Sequence, residues 1–369
     1  MKRVCLVSLC ASHYRKLIYF LMDSQMNCDF IFGRGETTVK TFDTSILRNV
    51  QEVPLSPIGG GRWYKMKNVI KLTKGYDVII DDMGILCTTS WYLAIVALFR
   101  GQKVLLWSHG WYGREGFAKK WMKRAYSALT KGMFVYGNYA HDLMIKNGFN
   151  PQKLHVIHNS LDYDSQLSLR NKMMFSNIYK DYFGNDAPVL LMIGRLNLRK
   201  HLDLLIHAIG ALKKKGNVFN VILIGTGEDE DAIKRLVEEK KLVPQVWFYG
   251  ACYDEKTNAE LIYNADMCVV PGDIGLTAIH AMMFGCPCIS HDYFPNQGPE
   301  FEAIRPGITG DFYQYGSVDS LADCIQKWFV SHSVDRNDIR QNCFKEIDEN
   351  WNPHRQIEII MNVIRQNFC

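Results

Sequence analysis

The feature that most constrains this chain is an alternation of short apolar runs with amphipathic runs, which occurs twice with a weaker stretch between. In the first half, residues 4–9, 76–80, 104–107, 134–136 and 155–157 are short and apolar enough for strands buried on both faces. Residues 14–22 and 116–129 carry helical spacing between them. The pattern fades from Asp162 to about Pro188, where Ser, Asn and charge collect. It then resumes, with strands expected at 189–193, 220–224, 246–249, 267–270 and 287–290 and helices at 201–214 and 230–240. Strands alternating with helices predict parallel sheets in an α/β fold. The expected domains are residues 1–165, a linker at 166–188, and 189–345, with a final helix in about 350–369 packing back on the first domain. Two such halves facing each other place a ligand cleft between them, at the carboxyl ends of their strands.

At 369 residues and 47% hydrophobic, the chain has material for two cores. Its net charge of +5 is uneven, since residues 1–165 hold 22 Lys+Arg against 12 Asp+Glu. A basic first half suits an anionic partner, whether membrane phospholipid, a lipid-linked diphosphate or nucleic acid; drift of surface charge between domains is the plain alternative. Lys119-Lys120-Trp121-Met122-Lys123-Arg124 mixes bases with an aromatic, as a membrane-surface helix does, and equally suits a solvated face. No nucleic-acid recognition motif accompanies the charge, so nucleic acid is not expected as a partner. The 11 cysteines include no C-x-x-C pair, which points to reduced core thiols in a reducing cytoplasm. The apolar start is too short and lacks a cleavage-like site, so it reads as a buried strand rather than a signal peptide.

Three motifs carry candidate chemistry. Ile193-Gly194-Arg195-Leu196 followed by Lys200 puts two cations where a strand ends and a helix begins, a pairing suited to a diphosphate. Leu223-Ile224-Gly225-Thr226-Gly227-Glu228 repeats a strand and a glycine turn, without the third glycine of a dinucleotide fingerprint. Pro271-Gly272-Asp273-Ile274-Gly275-Leu276-Thr277 leads into a helix that carries His280 one turn on, and its amides suit phosphate oxygens. Asp81-Asp82 lacks the D-x-D spacing of a metal site and reads as a solvated loop or acceptor contact. Gly59-Gly60-Gly61 reads as a flexible loop or a cleft-edge element.

Taken in order, G-R-L-x-x-x-K, I-G-x-G-E, W-F-Y-G, Y-N-A-D, P-x-x-x-G-L-x-x-x-x-A-M-x-x-G-x-P and G-I-T-G resemble the retaining glycosyltransferases of family 4, with the GT-B fold. The match runs from about Pro188 to Phe312, with looser echoes at Ser108-His109-Gly110 and Val156-Ile157-His158-Asn159-Ser160. The resemblance implies that Arg195 and Lys200 hold a donor diphosphate and that His109 faces the transferring sugar. It further implies that Gly194, Gly227, Asp273, Ile274, Gly275, Leu276 and Thr277 approach the donor sugar and phosphate, and that Tyr249 to Cys252 lie beside the base. The family has two glutamates eight residues apart, one orienting the donor sugar and one binding ribose; here Gly272 and His280 occupy those positions. His280 can still hydrogen-bond a hydroxyl, and Asp273 is the neighbouring carboxylate. Ser12-His13-Tyr14-Arg15 replaces the family's glycine loop, and His13, Tyr14 and Arg15 become acceptor candidates.

The implied function is retaining, metal-independent transfer of a hexose from a nucleotide-diphosphate sugar, used as co-substrate with no cofactor, to a saccharide or lipid-linked saccharide acceptor. Synthesis of cell-surface polysaccharide or lipid-linked oligosaccharide, in the cytoplasm or peripherally at the inner membrane face, is the expected setting. A non-catalytic sugar-nucleotide-binding protein and a GT-B nucleotide-sugar epimerase are the alternatives.

Overall fold

The computed structural model of the chain describes residues 2–35, 39–332 and 336–368. Met1 and Cys369, the ends of the expected terminal segments, lie outside the described residues. The chain divides into two units, one up to Asp162 together with the segment from Asn352 onward, the other from Tyr163 to Trp351.

In the first unit β1 (Val4–Ser8), β2 (Asp29–Arg34), β3 (Val50–Ile58), β4 (Trp63–Met66), β5 (Val78–Asp82), β6 (Lys103–Ser108), β7 (Gly132–Val135) and β8 (Leu154–Val156) form one sheet, in the order β4-β3-β2-β1-β5-β6-β7-β8. Only β3 and β4 pair antiparallel. Alternate residues of β1 feed opposite cores. Val4 and Leu6 pack with the helix α1 (Lys16–Met26), and Cys5 and Val7 join the other face. That second face is covered by α2 (Val69–Leu72), α3 (Thr88–Phe99), α4 (Phe117–Ala128) and α5 (Asn138–Lys146). Strand order reverses at β1, between β2 and β5, which makes the carboxyl ends of β1 and β5 the switch point where α/β ligands bind.

The second unit opens with α6 (Tyr163–Arg170) and α7 (Ile178–Phe183). Its strands are β9 (Val189–Ile193), β10 (Asn220–Ile224), β11 (Val246–Gly250), β12 (Met267–Val269), β13 (Cys288–His291) and β14 (Gly310–Tyr313), all parallel in the order β11-β10-β9-β12-β13-β14. The helices are α8 (Leu202–Lys214), α9 (Glu230–Glu239), α10 (Glu255–Asn264), α11 (Thr277–Met283), α12 (Val318–Ser331) and α13 (Arg336–Asn350). The switch point lies between β9 and β12. The final helix, α14 (Pro353–Phe368), belongs to the first unit, where Ile357, Ile360, Val363 and Ile364 enter the core beside α1.

Several elements differ from the sequence reading. Residues 166–188 are not a linker: they contain most of α6 and all of α7, and they are tied to the second unit. Tyr179 donates to the Leu261 carbonyl at 2.7 Å, and Gln166 donates to Glu255 at 2.8 Å. Each of these helices buries a single residue, Gln166 or Tyr179, too little to show as a periodic pattern. Residues 59–61 form the turn of the β3–β4 hairpin, where all three glycines take positive φ (59°, 68° and 83°). Strands β2 to β4 and the helix α3 were unmarked because their apolar runs do not repeat at one clean period. The ten cysteines among the described residues are free, and Cys286 and Cys288 are fully buried.

Candidate functional site

In the second unit β9 ends at Ile193 and β10 at Ile224, and the two following loops cross with main chain against main chain. Gly194 donates to the Ile224 carbonyl at 2.9 Å and Leu196 to that of Thr226 at 3.1 Å. A Cβ on Gly227 would stand 2.0 Å from the Leu196 carbonyl oxygen, so only glycine permits this approach. A Cβ on Gly272 would meet the Arg199 carbonyl oxygen at 1.9 Å. The missing glutamate is therefore a consequence of packing: this backbone has no room for a side chain at 272. Above these crossings, a Cβ on Gly194 would make ordinary contacts, with the Thr277 hydroxyl at 3.8 Å and with Lys200 Cε and Met192 Cε at 3.9 Å.

Lys200, on the turn that follows β9, and Thr277, at the start of α11, flank Gly194. The Lys200 ammonium donates to the carbonyls of Asp273 at 2.6 Å and Ile274 at 3.4 Å. Burial pulls its pKa below the usual lysine value, against the pull of Asp273. Thr277 spends its hydroxyl on the Ile193 carbonyl at 3.1 Å, which clamps α11 to the end of β9. Arg195 is exposed and has no partner among the described residues, so its guanidinium is available to an anion.

Asp273 does not offer a spare carboxylate. Arg199 holds one oxygen at 2.5 Å, and the other accepts from the Gly298 amide at 2.8 Å. The Ile274 amide is likewise held by the buried Gln297 at 3.0 Å. Leu276 and Gly275 lead into α11, with Gly275 at φ 51°. Tyr249 stands near the end of β11 against Trp247, their rings 5.2 Å apart, and Cys252 follows in the loop before α10. His280 meets a carboxylate that the sequence reading missed. Its Nε2 lies 2.9 Å from Glu255 Oε1, which also accepts from Gln166. Burial by itself would raise Glu255, yet hydrogen bonds from His280 and Gln166 hold it below the usual carboxylate value. Glu255 is 25 residues from His280, and no spacing rule joins residues on separate helices.

At the first unit's switch point side chains pair across the strand ends. Arg15, 7% exposed, forms an ion pair with Asp82, which also accepts from Ser8 Oγ at 2.8 Å. Arg15 also donates to the Tyr136 hydroxyl at 2.5 Å, which accepts from Trp107 Nε1 at 2.7 Å. Arg15 thus turns inward as a structural cation rather than outward to an acceptor. His13 is exposed and Tyr14 half-buried at the same end of β1. Asp81 and Asp82 are not in a solvated loop but at the end of β5. Asp81 is 1% exposed, accepting from the Tyr126 hydroxyl and from the Met83 amide at 2.8 Å. Burial raises its carboxyl to about 6, against those hydrogen bonds.

Beside this network is a pocket of about 340 Å³, lined by Asp82, Leu86, His109, Tyr112, Lys119 and Lys123 among others. His109 follows β6, its ring edge-on to Tyr136 at 4.9 Å and stacked over Tyr112 at 6.1 Å. His13, Tyr14 and Arg15 do not line the pocket. Among the described residues there is no group of three or more metal-ligating side chains.

Residues 178–346 match the family model described as glycosyl transferases group 1. The putative glycosyltransferase EpsD of Bacillus subtilis is 25% identical over 328 residues, 85% of this chain and 83% of that protein. A glycogen synthase of Xanthomonas euvesicatoria pv. vesicatoria is 29% identical over 149 residues, 39% of this chain but only 27% of that one. Among solved structures, Anabaena Alr3699/HepE, in complex with UDP, superposes with a TM-score of 0.73 at 16% identity, over 99% of this chain and 100% of that one. The family match thus covers residues 178–346, in the second unit, and the likeness to solved structures shows the GT-B fold.

Proposed function

We propose that the chain is a retaining, metal-independent hexosyltransferase of family 4. It takes a hexose from a nucleotide-diphosphate sugar and passes it to a saccharide acceptor, in polysaccharide or lipid-linked oligosaccharide synthesis at the cytoplasmic face of a membrane. The observation that carries the reading is the pair of cations at the end of β9. Lys200 is held in place by two carbonyls, and Arg195, on the same turn, is exposed with no partner among the described residues. The UDP held by HepE supports a nucleotide diphosphate as the occupant.

When the bond between the sugar's anomeric carbon and the phosphate oxygen breaks, the leaving diphosphate gains negative charge. Arg195 can take two of its oxygens side by side, and the preplaced Lys200 ammonium meets the charge with little reorganisation. The acceptor oxygen attacks on the face the phosphate leaves, and the leaving phosphate oxygen takes its proton, so no protein base is assigned. His109 would contact the transferring sugar, in keeping with its position on a pocket wall.

The test is a thermal-shift panel with UDP, GDP, ADP and dTDP and their hexose forms. At 100 times its Kd the cognate ligand should add about 2.7 kcal/mol of stability, lost in Arg195→Ala and Lys200→Ala. Absence of a shift with every nucleotide diphosphate sinks the reading. Turnover should persist in EDTA if the two cations suffice. A second reading, a non-catalytic sugar-nucleotide binder, is favoured by the absence of room for a carboxylate at Gly272. It would show the thermal shift with neither transfer nor slow donor hydrolysis.

A further inference from the structure

Glu255 and His280 stand on different helices of the second unit and form a contact that the diphosphate chemistry does not use. Glu255 is the first residue of α10, directly after the loop that carries Cys252, and His280 lies in α11. Thr277, which flanks Gly194, opens α11, so His280 sits one turn, about 5.4 Å, further along the same face. The pair thus bridges the helix beside Gly194 and the loop after β11.

The group that this pair offers outward is the carboxylate, not the imidazole. The His280 side chain is 15% exposed and commits its Nε2 to Glu255 Oε1 at 2.9 Å, whereas the Glu255 side chain is 39% exposed. Gln166 donates to the same oxygen at 2.8 Å, and Asn258 also hydrogen-bonds the carboxylate. Hydrogen bonds from His280 and Gln166 hold the carboxyl below its usual value against the pull of burial, so at neutral pH it only accepts. A tie between α6, α10 and α11 would work as well with neutral amides kept from solvent. A fixed, ionised carboxylate left partly exposed is suited to accept from a hydroxyl.

We propose that Glu255 accepts from the ribose diol of the donor nucleotide, that His280 positions it, and that the pair makes the site select a ribonucleoside diphosphate over its 2′-deoxy form. A carboxylate built to take a hydroxyl is left unpaired by an analogue that lacks one, and hydrogen bonding discriminates most sharply in that way. The proposal rests on the reading of Arg195 and Lys200 as a diphosphate site, and it narrows the donors to those built on ribose. The two side chains have different tasks: Glu255 touches the ligand, and His280 acts through Glu255.

The experiment is calorimetric titration of the full chain with the pairs UDP and dUDP, GDP and dGDP, and ADP and dADP, with dTDP beside them. In the pair that binds, the ribo form should be tighter by about tenfold or more. Glu255→Ala should bring that ratio close to one, while binding of the 2′-deoxy form stays near the wild-type value. His280→Ala should lower the ratio, and His280→Gln, which keeps a donor, should restore part of it; a mere tie between helices would move neither. Equal binding of the two forms by the wild type, dTDP tighter than every ribonucleotide, or a ratio unchanged in Glu255→Ala or His280→Ala would each overturn the proposal. If Glu255→Ala fails to fold, Glu255→Gln decides in its place. Failure of every nucleotide diphosphate to bind would sink the transferase reading and this proposal with it; ribo and 2′-deoxy forms bound alike would sink the proposal alone.

Discussion

The two units end their central strands in opposite ways. In the first, side chains pair across the switch point: Arg15 and Asp82 form a buried ion pair, joined by Ser8, Tyr136 and Trp107. In the second, main chain crosses main chain through Gly194, Gly227 and Gly272, with Lys200 and Thr277 flanking Gly194. The Arg15–Asp82 pair occupies part of that switch point, and the first unit's pocket opens beside it over the ends of β5 and β6, with Asp81, Asp82, Ser108 and His109 in its lining. Strand ends closed by glycines, with cations beside them, suit a diphosphate. One architecture therefore yields two kinds of site, according to whether side chains or glycines close the strand ends.

The sharpest way to break the comparison is Arg15→Leu. It strands the Asp82 carboxylate in a buried setting and should cost about 3–5 kcal/mol, read as a fall in the denaturation midpoint. A loss below 1 kcal/mol would mean that the ion pair is not what closes the first unit. Lys200→Ala should lower turnover by about 10²–10³-fold, roughly 2.7–4 kcal/mol of transition-state stabilisation, with the melting temperature little changed. If stability fell instead and turnover survived, Lys200 would be a strut like Arg15.

Gly272→Glu restores the residue that the family resemblance expects, yet its Cβ would fall 1.9 Å from the Arg199 carbonyl oxygen. It should destabilise by about 1–3 kcal/mol and lower activity, as a melt and an assay on the same preparation would show. Gain of activity with full stability would overturn the packing argument. The smallest effect concerns Asp81. Its folded value of about 6 exceeds the unfolded carboxylate value, so the folded protein holds the extra proton and stability falls as pH rises through that window. Asp81→Asn should therefore stabilise by about 1–3 kcal/mol at pH 8, with the advantage vanishing below about pH 4. Parallel melting curves for the two proteins across pH 4 to 8 are the check.

The difference between the units also explains what was legible in advance. Glycines that let two backbones approach must recur at set distances along the chain, so the second unit's loops announced themselves, and Gly194, Arg195, Lys200, Gly227 and Thr277 could be named from spacing. The first unit's network joins Arg15 to Asp82 and Tyr136 across 67 and 121 residues, and no local pattern records that. Arg15 was accordingly placed in an acceptor role although its guanidinium is buried on Asp82 and Tyr136, and the Asp81-Asp82 pair was read as a solvated loop or an acceptor contact, of which the loop is overturned. Glu255 and Arg199 were missed for a related reason: each gains its place only through a partner on another element, His280 or Asp273.

By itself the sequence determined the two α/β halves, the positions of most strands along the chain and the glycine-lined edge of the second half. Those follow from hydrophobic period and from backbone geometry, which are local properties. Only the tertiary structure decided which charges are buried struts and which remain available, that position 272 has no room for a side chain, and that residues 163–188 belong to the second unit. Burial and ion pairing depend on which strands and helices become neighbours, and that information is spread over distances that no window along the chain can span.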